Sequence, residues 1–338
     1  MFRPYFLTAL LPCFFLCSHA QLHRFSYTEP KMGSPFTITF YATDTTYANS
    51  TAQHCFALVD SLVDILSDYK DSSELNRLCT HAGNGGFLCS PVLFDILQKS
   101  SYAFKKSRGS FDITLGPVTR LWRKARKENR FPAPELVKEK LSLTGFDKIS
   151  IDTITHTVIL QQRGMQLDLG GIGQGYIAQR VMDYLQSNHI DNALVDVSGD
   201  IVCIGKPPGK KSWTVAINLP ESEHELLPKY LQISNQAVTT SGDVYQYMEH
   251  NGKRYSHIVD PSTGYGITTQ KNVTVIAGDG TTADWLTKAC SILPVVKAIQ
   301  LANSLHAEVL IAEIKNGRLI FHASKGFAAY WNARNTKK

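Results

Sequence analysis

Two neighbouring stretches carry the residue types that group transfer requires. Arg254 to Tyr265 reads Arg-Tyr-Ser-His-Ile-Val-Asp-Pro-Ser-Thr-Gly-Tyr. It sets one titratable imidazole, His257, among apolar residues, and a carboxylate, Asp260, at the entrance to a Pro-Ser-Thr-Gly turn. Gln236 to Asp243 precedes it and supplies hydroxyls and a flexible glycine. The turn residues fix the local backbone. An acid/base group on an ordered strand end, with donors nearby, suits transfer at a phosphate or acyl centre. The same residues also suit a plain strand and turn around a satisfied histidine.

A glycine loop, Asp168-Leu-Gly-Gly-Ile-Gly-Gln-Gly-Tyr-Ile-Ala178, is the second candidate. Glycines between a strand and a helix let the backbone approach a phosphate, which the free amides of the helix start attract. Gly173 to Ala178 also satisfies the dinucleotide fingerprint, with Asp196 placed where a ribose-binding acid would stand. No alternation of strands and helices follows Asp196, however, and Asp168 within the loop would repel a pyrophosphate unless a cation intervened. A nicotinamide dehydrogenase is therefore disfavoured.

Thr281 to Lys288 opens a helix in which Asp284 and Thr287, three apart, share a face. A carboxylate and a hydroxyl suit a hard cation such as magnesium. The alternative is ordinary capping by Thr282 with Asp284 in the first turn. Gly109 to Trp122 adds an aromatic face, Phe111, beside two acceptors on Asp112, a pairing that can hold a flat heterocycle.

The elements that must position these residues are mixed. Phe36 to Tyr41 alternates apolar and polar as a strand, and Ser50 to Tyr69 has helical periodicity. Ser90-Pro91 starts a helix that stops near Gly109. Strands are expected near 148–151, 157–161 and 165–169, then a helix through Ile177 and Val181. From Ala193 strand signals dominate, at 193–197, 201–204, 213–217, 230–233, 255–259 and 273–276. A helix pair interrupted at Pro294 follows, and strands near 308–311 and 319–321 close the chain. Many neighbouring strands that need hairpins favour an α+β fold with mixed, largely antiparallel sheets and packed helices.

The chain's 338 residues, 43% hydrophobic and 19% charged, allow one large globular domain, and the net charge of +6 is modest. The basic cluster Arg120, Arg123, Lys124, Arg126, Lys127 and Arg130 reads as a solvated helix face, so no nucleic-acid partner is expected. Residues 1–20 pair Arg3 with an apolar run from Tyr5 to Cys17, and Ser18 and Ala20 suit signal-peptidase cleavage before Gln21. The expected mature domain is 21–338, exported and periplasmic. Lipid attachment through Cys17 is the second choice, because Phe14-Phe15-Leu16 is bulky for that cleavage. Five cysteines would remain, without a Cys-x-x-Cys. Cys79 and Cys89 are spaced to pair in an oxidising compartment, or to stay as buried thiols.

Taken together and in order, these stretches resemble the ApbE family, the FAD:protein FMN transferases. The resemblance runs through Met32-Gly33-Ser34, Ser73-Glu74-Leu75-Asn76, Gly109-Ser110-Phe111-Asp112, the loop from Asp168 to Tyr176, Thr240 to Asp243, and His257 to Gly264. Ala283-Asp284 resembles the family's metal-binding helix start. The resemblance implies an ApbE-like, T-fold-related architecture and a reaction in which FAD, its diphosphate on magnesium, is cleaved. FMN passes through a phosphoester to a threonine of an acceptor protein, usually a subunit of a membrane redox complex, and AMP leaves. It also implies ligands and roles. Gly173, Asp284 and Thr287 would hold Mg2+. Met32, Tyr69, Ser110, Phe111, Asp112, Asp168, Gly171, Gln174 and Ile258 would line the flavin and adenosine pocket. His257 would act as base or charge-stabilising donor at the phosphate, with Asp260 orienting its loop.

Two positions depart from the family pattern. Many members have lysine at Gln174, and many have a metal-binding threonine at Lys288. An ammonium has no acceptor, so either Thr287 substitutes as ligand or Lys288 itself supplies the cation. A metal-dependent FAD pyrophosphatase and a non-catalytic FAD-binding protein are the rival readings.

Overall fold

Residues His23–Lys31 (β1) and Ser34–Ala42 (β2) form a hairpin whose turn, Met32-Gly33, has both residues at positive φ, 53° and 74°. That geometry gives the tight turn matching strand twist. The computed structural model describes residues 21–218, 226–242 and 246–333. The expected signal segment, 1–20, and Asp243 lie outside the described residues. The sequence reading found β2 and missed β1. The missed strand is an edge strand, largely exposed and interrupted by Pro30, so its hydrophobic signal is thin.

Six more strands complete the main sheet: Ala193–Val197 (β3), Asp200–Ile204 (β4), Gln236–Gly242 (β5), Lys271–Ala277 (β6), Glu308–Lys315 (β7) and Arg318–Ala323 (β8). All eight lie in chain order, and every neighbouring pair is antiparallel. The expected α+β class with antiparallel sheet is borne out, and the doubly wound alternative is not. Alternation along the strands serves two cores. Ala237, Val273, Val275 and Val309 face the helices, while Val238, Ile276 and Leu310 face a smaller sheet built from Trp213–Asn218, Leu226–Ile233 and Trp331–Ala333.

The helices enter as insertions between strands. Thr45–Leu66 (α1), Pro91–Ser107 (α2), Gly116–Glu128 (α3) and Gly173–Ser187 (α4) lie between β2 and β3; Gly280–Ile292 (α5) and Val295–Ser304 (α6) lie between β6 and β7. Ser90 caps α2, and Arg108 in left-handed conformation ends it beside Gly109, where the sequence put its stop. The cap of α5 is Asp279, whose Oδ1 accepts the Thr282 N–H at 2.9 Å. Thr282 is therefore inside the helix, and Asp284 sits past its first turn.

Two other local expectations change, and one open alternative closes. Residues 165–169 are extended but pair with no strand; Asp168 N–H bonds the Ile113 carbonyl instead, at 2.8 Å. The strand expected through Val259 ends at Ser256, the last residue of a short hairpin, Tyr247–His250 with Lys253–Ser256; the chain then bends at residues 257–258, and Val259 makes only an isolated bridge with Gly266. Cys79 and Cys89 are not joined: all five cysteines of the described residues are free and buried, and Cys79 Sγ accepts the Leu167 N–H at 3.2 Å. No helix of the described residues is long and apolar enough to cross a membrane.

Candidate active site

The β1–β2 turn, the end of α1, the start of α3, the glycine loop, α5 and the segment after Ser256 converge on one cleft of about 820 Å³. Most of the sequence-predicted residues line it. Met32, Tyr69, Ser110, Phe111 and Asp112 line it, with Asp168, Gly171, Gly173 and Gln174 of the glycine loop. His257 and Ile258 line it as well. Asp260, Asp284 and Thr287 do not line it.

The glycine loop is shaped by its own aspartate and by close packing. Asp168 Oδ1 accepts the Gly170 N–H at 2.8 Å, and its other oxygen takes Arg123 at 2.5 Å. Arg123 also pairs with Asp68 and lies over the Tyr69 ring at 4.6 Å. The loop carboxylate that seemed hostile to phosphate is thus neutralised by a guanidinium from α3. A Cβ on Gly171 would come within 3.0 Å of Lys288 Cγ and 3.2 Å of Phe111, so the loop backbone presses directly on both side chains. Further along, a Cβ on Gly175 would meet the Gly280 carbonyl at 2.1 Å. The two glycines bring α4 and α5 into backbone contact, and the Gly175 N–H then reaches Asp284 Oδ2 at 3.0 Å.

Asp112 acts locally. Its Oδ1 accepts both the N–H and the hydroxyl of Thr114, at 2.8 and 2.7 Å, and burial raises its pKa. Phe111 is buried against Trp285 with ring centres 6.0 Å apart. Burial, and next the nearby Asp168 charge, push Asp68 up as well.

His257 hangs from a braced segment. Its N–H donates to the Gln246 carbonyl at 2.7 Å, and Ser256 Oγ accepts the Ile258 N–H at 3.1 Å. The turn beyond it is held by Asp260, whose Oδ1 accepts the N–H and hydroxyl of Ser262 at 2.8 and 2.7 Å. Asp260 therefore shapes the loop that carries His257 and does not face the cleft. Trp122 of α3 donates its indole N–H to the Gly264 carbonyl at 2.7 Å and ties turn to helix. His257 Nδ1 has no partner among the described residues. Burial, then the charges of Lys288 and Arg126, push its pKa down to about 4. The imidazole is neutral at physiological pH, with one nitrogen able to accept a proton.

The basic cluster on α3 is not simply a solvated face. Thr119, Arg123 and Arg126 point into the cleft at helical spacing. Arg126 has no salt bridge among the described residues, and burial followed by repulsion from Arg123 lowers its pKa. The 119/123/126 spacing was the available signal, hidden by basic residues on every other face.

Of the three residues expected to hold a divalent metal, Gly173 lines the cleft, but Asp284 and Thr287 do not fit one. Asp284 is fully buried, and both its oxygens are engaged: Oδ2 by Gly175 N–H, Oδ1 by Lys288 Nζ at 2.9 Å. The Thr287 hydroxyl donates to the Asp284 carbonyl at 2.7 Å and lies 3.3 Å from Lys288 Nζ. A doubly charged ion about 4 Å from the ammonium would face roughly 8 kcal/mol of repulsion at an effective permittivity of about 20. No cluster of three or more metal-ligating His, Cys, Asp or Glu side chains occurs among the described residues. Behind Lys288, buried Asp200 has one oxygen without a partner; burial, then Asp284, raises its pKa to about 7.

Comparisons with known proteins find relatives of the whole chain. A family model described as the ApbE family matches residues 32–311. An FAD:protein FMN transferase of Klebsiella pneumoniae strain 342 is 32% identical over 265 residues, covering 78% of this chain and 81% of that protein. One of Treponema pallidum strain Nichols is 29% identical over 297 residues, covering 83% and 82%. Among solved structures, the flavin transferase ApbE from Vibrio cholerae aligns with a TM-score of 0.82 at 25% identity, over 92% of this chain and all of that one.

Proposed function

The chain belongs to the ApbE family, and from that premise we propose how its cleft performs the family's reaction. It is an FAD:protein FMN transferase. A threonine hydroxyl of an acceptor protein attacks the flavin-side phosphorus of FAD. The new oxygen–phosphorus bond forms as the bond to the AMP phosphate breaks. The electron pair leaves with AMP, and the hydroxyl proton passes to His257.

The observation that carries this reading is the cleft's division of labour. Tyr69, Phe111 and Met32 offer ring and thioether surfaces suited to a flat heterocycle. The same cleft holds a neutral imidazole with a free nitrogen, on which the charges of Lys288 and Arg126 act. The glycine loop lines it too. Phosphoryl transfer is mostly positioning and charge stabilisation, and a neutral imidazole beside the scissile bond accepts the proton. His257 is thus assigned as general base, and Asp260 as the residue that positions its loop. Ser110, Asp112 and Ile258 serve as pocket walls, with Asp168 and Gln174 on the loop facing the dinucleotide. An exported, periplasmic enzyme serving a flavin-carrying subunit of a membrane redox complex, with lipid attachment as the variant of that location, is the setting this reading favours.

The test is incubation with FAD, with and without a threonine-bearing acceptor domain, followed by a denaturing gel. Flavin fluorescence that migrates with the acceptor and disappears when its threonine is replaced by alanine is the expected result. Free FMN alone would make the protein a hydrolase, and unchanged FAD a binding protein.

A further inference from the structure

Resting on the transferase reading, we propose that Lys288 takes the place of a divalent metal, so that this enzyme binds and cleaves FAD with protein-borne cations alone. An ammonium has three donors and no acceptor. Two are committed at the base of the site, to Asp284 Oδ1 at 2.9 Å and Thr287 Oγ1 at 3.3 Å. The third remains for a phosphate oxygen in the cleft that Lys288 lines. The stem is held by the glycine loop, whose Gly171 leaves no room for a side chain against Lys288 Cγ. The two oxygens that a metal would need, on Asp284 and Thr287, are the ones that hold the ammonium in place.

Arg126 supplies the second positive charge. It reaches the same cleft from α3, and it and Lys288 are the two cations whose charges act on His257. The unpaired Arg126 charge and the spare donor of the Asp284-bound Lys288 ammonium are what the cleft offers to the two negative charges of a diphosphate. They also offset the missing lysine at Gln174, which lines the same cleft. During transfer the charge developing on the departing AMP phosphate falls to fixed donors, and no coordination shell has to form or release. Asp284, buried and bonded to Gly175, serves as anchor of the lysine and holds α5 against α4.

The decisive experiment uses the full protein, purified through a chelator. Two quantities are read: FAD affinity, by quenching of flavin fluorescence, and covalent flavin on the acceptor. Both are expected to stay within about twofold whether chelator or excess magnesium is present. A tenfold or greater gain in FAD affinity on adding magnesium would overturn the proposal even if no acceptor were labelled. Labelling present with magnesium and absent with chelator would overturn it while leaving the transferase reading intact. No labelling under either condition, with metal-indifferent FAD binding, would instead defeat the transferase reading alone. Lys288→Thr sharpens the result. Without metal it is expected to lose about a hundredfold in labelling, the loss typical of one transition-state donor, and to regain it with magnesium. A Lys288→Thr protein as active in chelator as the parent would exclude the lysine. Should that variant not fold, as judged by circular dichroism, the chelator comparison on the unaltered protein decides.

Discussion

Arg123 and Arg126 lie one turn apart on α3, and both face the cleft, yet their surroundings are opposite. Arg123 is held between Asp68 and Asp168 and covered by the Tyr69 ring. Arg126 has no carboxylate partner among the described residues and stands towards His257. One charge is spent inside the protein, shaping the wall of the cleft. The other is left for something that arrives, as is the spare donor of Lys288. An enzyme for a dianionic substrate needs both kinds. Paired charges fix the walls, and unpaired cations answer the phosphates.

The largest expected effect lies at the imidazole on which the Lys288 and Arg126 charges act. His257→Ala should lower FMN transfer by about 10²–10⁴-fold, the usual worth of a general base, while FAD affinity changes by less than about threefold. A proportional loss of binding would turn His257 into a phosphate ligand and blur the contrast between its role and that of Arg126. The pH profile gives the sign independently. The working form is the neutral imidazole, which exists above its pKa of about 4. The rate constant kcat/KM should therefore hold steady from neutrality down to mildly acid pH and fall tenfold per unit below about 4. A fall centred near the ordinary histidine value would show that the buried, cation-flanked setting does not govern it.

The paired and unpaired arginines should then separate by what they damage. Arg123→Gln leaves Asp68 and Asp168 facing each other without the guanidinium they share. The expected cost is about 3 kcal/mol of stability, seen as an earlier urea midpoint, with the Asp68 pKa raised further in a carboxyl titration. Arg126→Gln should leave stability within about 0.5 kcal/mol and weaken FAD about tenfold, near 1.4 kcal/mol. The reverse pattern would dissolve the distinction between the two.

What the sequence made legible follows the same divide. Local chemistry was readable: the Asp-Pro-Ser-Thr-Gly segment, the glycine loop, and the aromatic beside Asp112 all lie at the cleft or brace it, whereas no described residue of the hydroxyl-rich stretch from Gln236 lines it. The antiparallel sheet was readable from its period-two strands. Long-range pairing was not. Nothing near Asp168 in sequence signals that Arg123, 45 residues earlier, would neutralise it. Nothing near Gly175 signals Asp284, 109 residues on. The edge strand β1 escaped because an exposed strand lacks the buried alternation that marks a core one. Lys288 was visible as an anomaly, but only geometry puts its ammonium on the oxygens assigned to a metal.

The smallest effect tests the joint between the two regions. Trp122 stands next to Arg123 on α3, and its indole N–H reaches across 142 residues to the Gly264 carbonyl. The ring is also packed against Tyr255 and Tyr265, with centres 5.9 and 5.8 Å away. Trp122→Phe keeps much of that apolar contact and deletes the one hydrogen bond. The expected loss is about 1 kcal/mol of stability, or a few degrees in Tm for a domain of this size. Transfer should suffer more than FAD affinity, because the bond fixes the turn that carries His257 and not the flavin wall. A variant that loses FAD affinity and transfer in equal measure would mean that α3 moves as one body, with no independent hold on the histidine. If transfer alone declines, the turn is the element that Trp122 positions, and it is mechanically separable from the flavin wall.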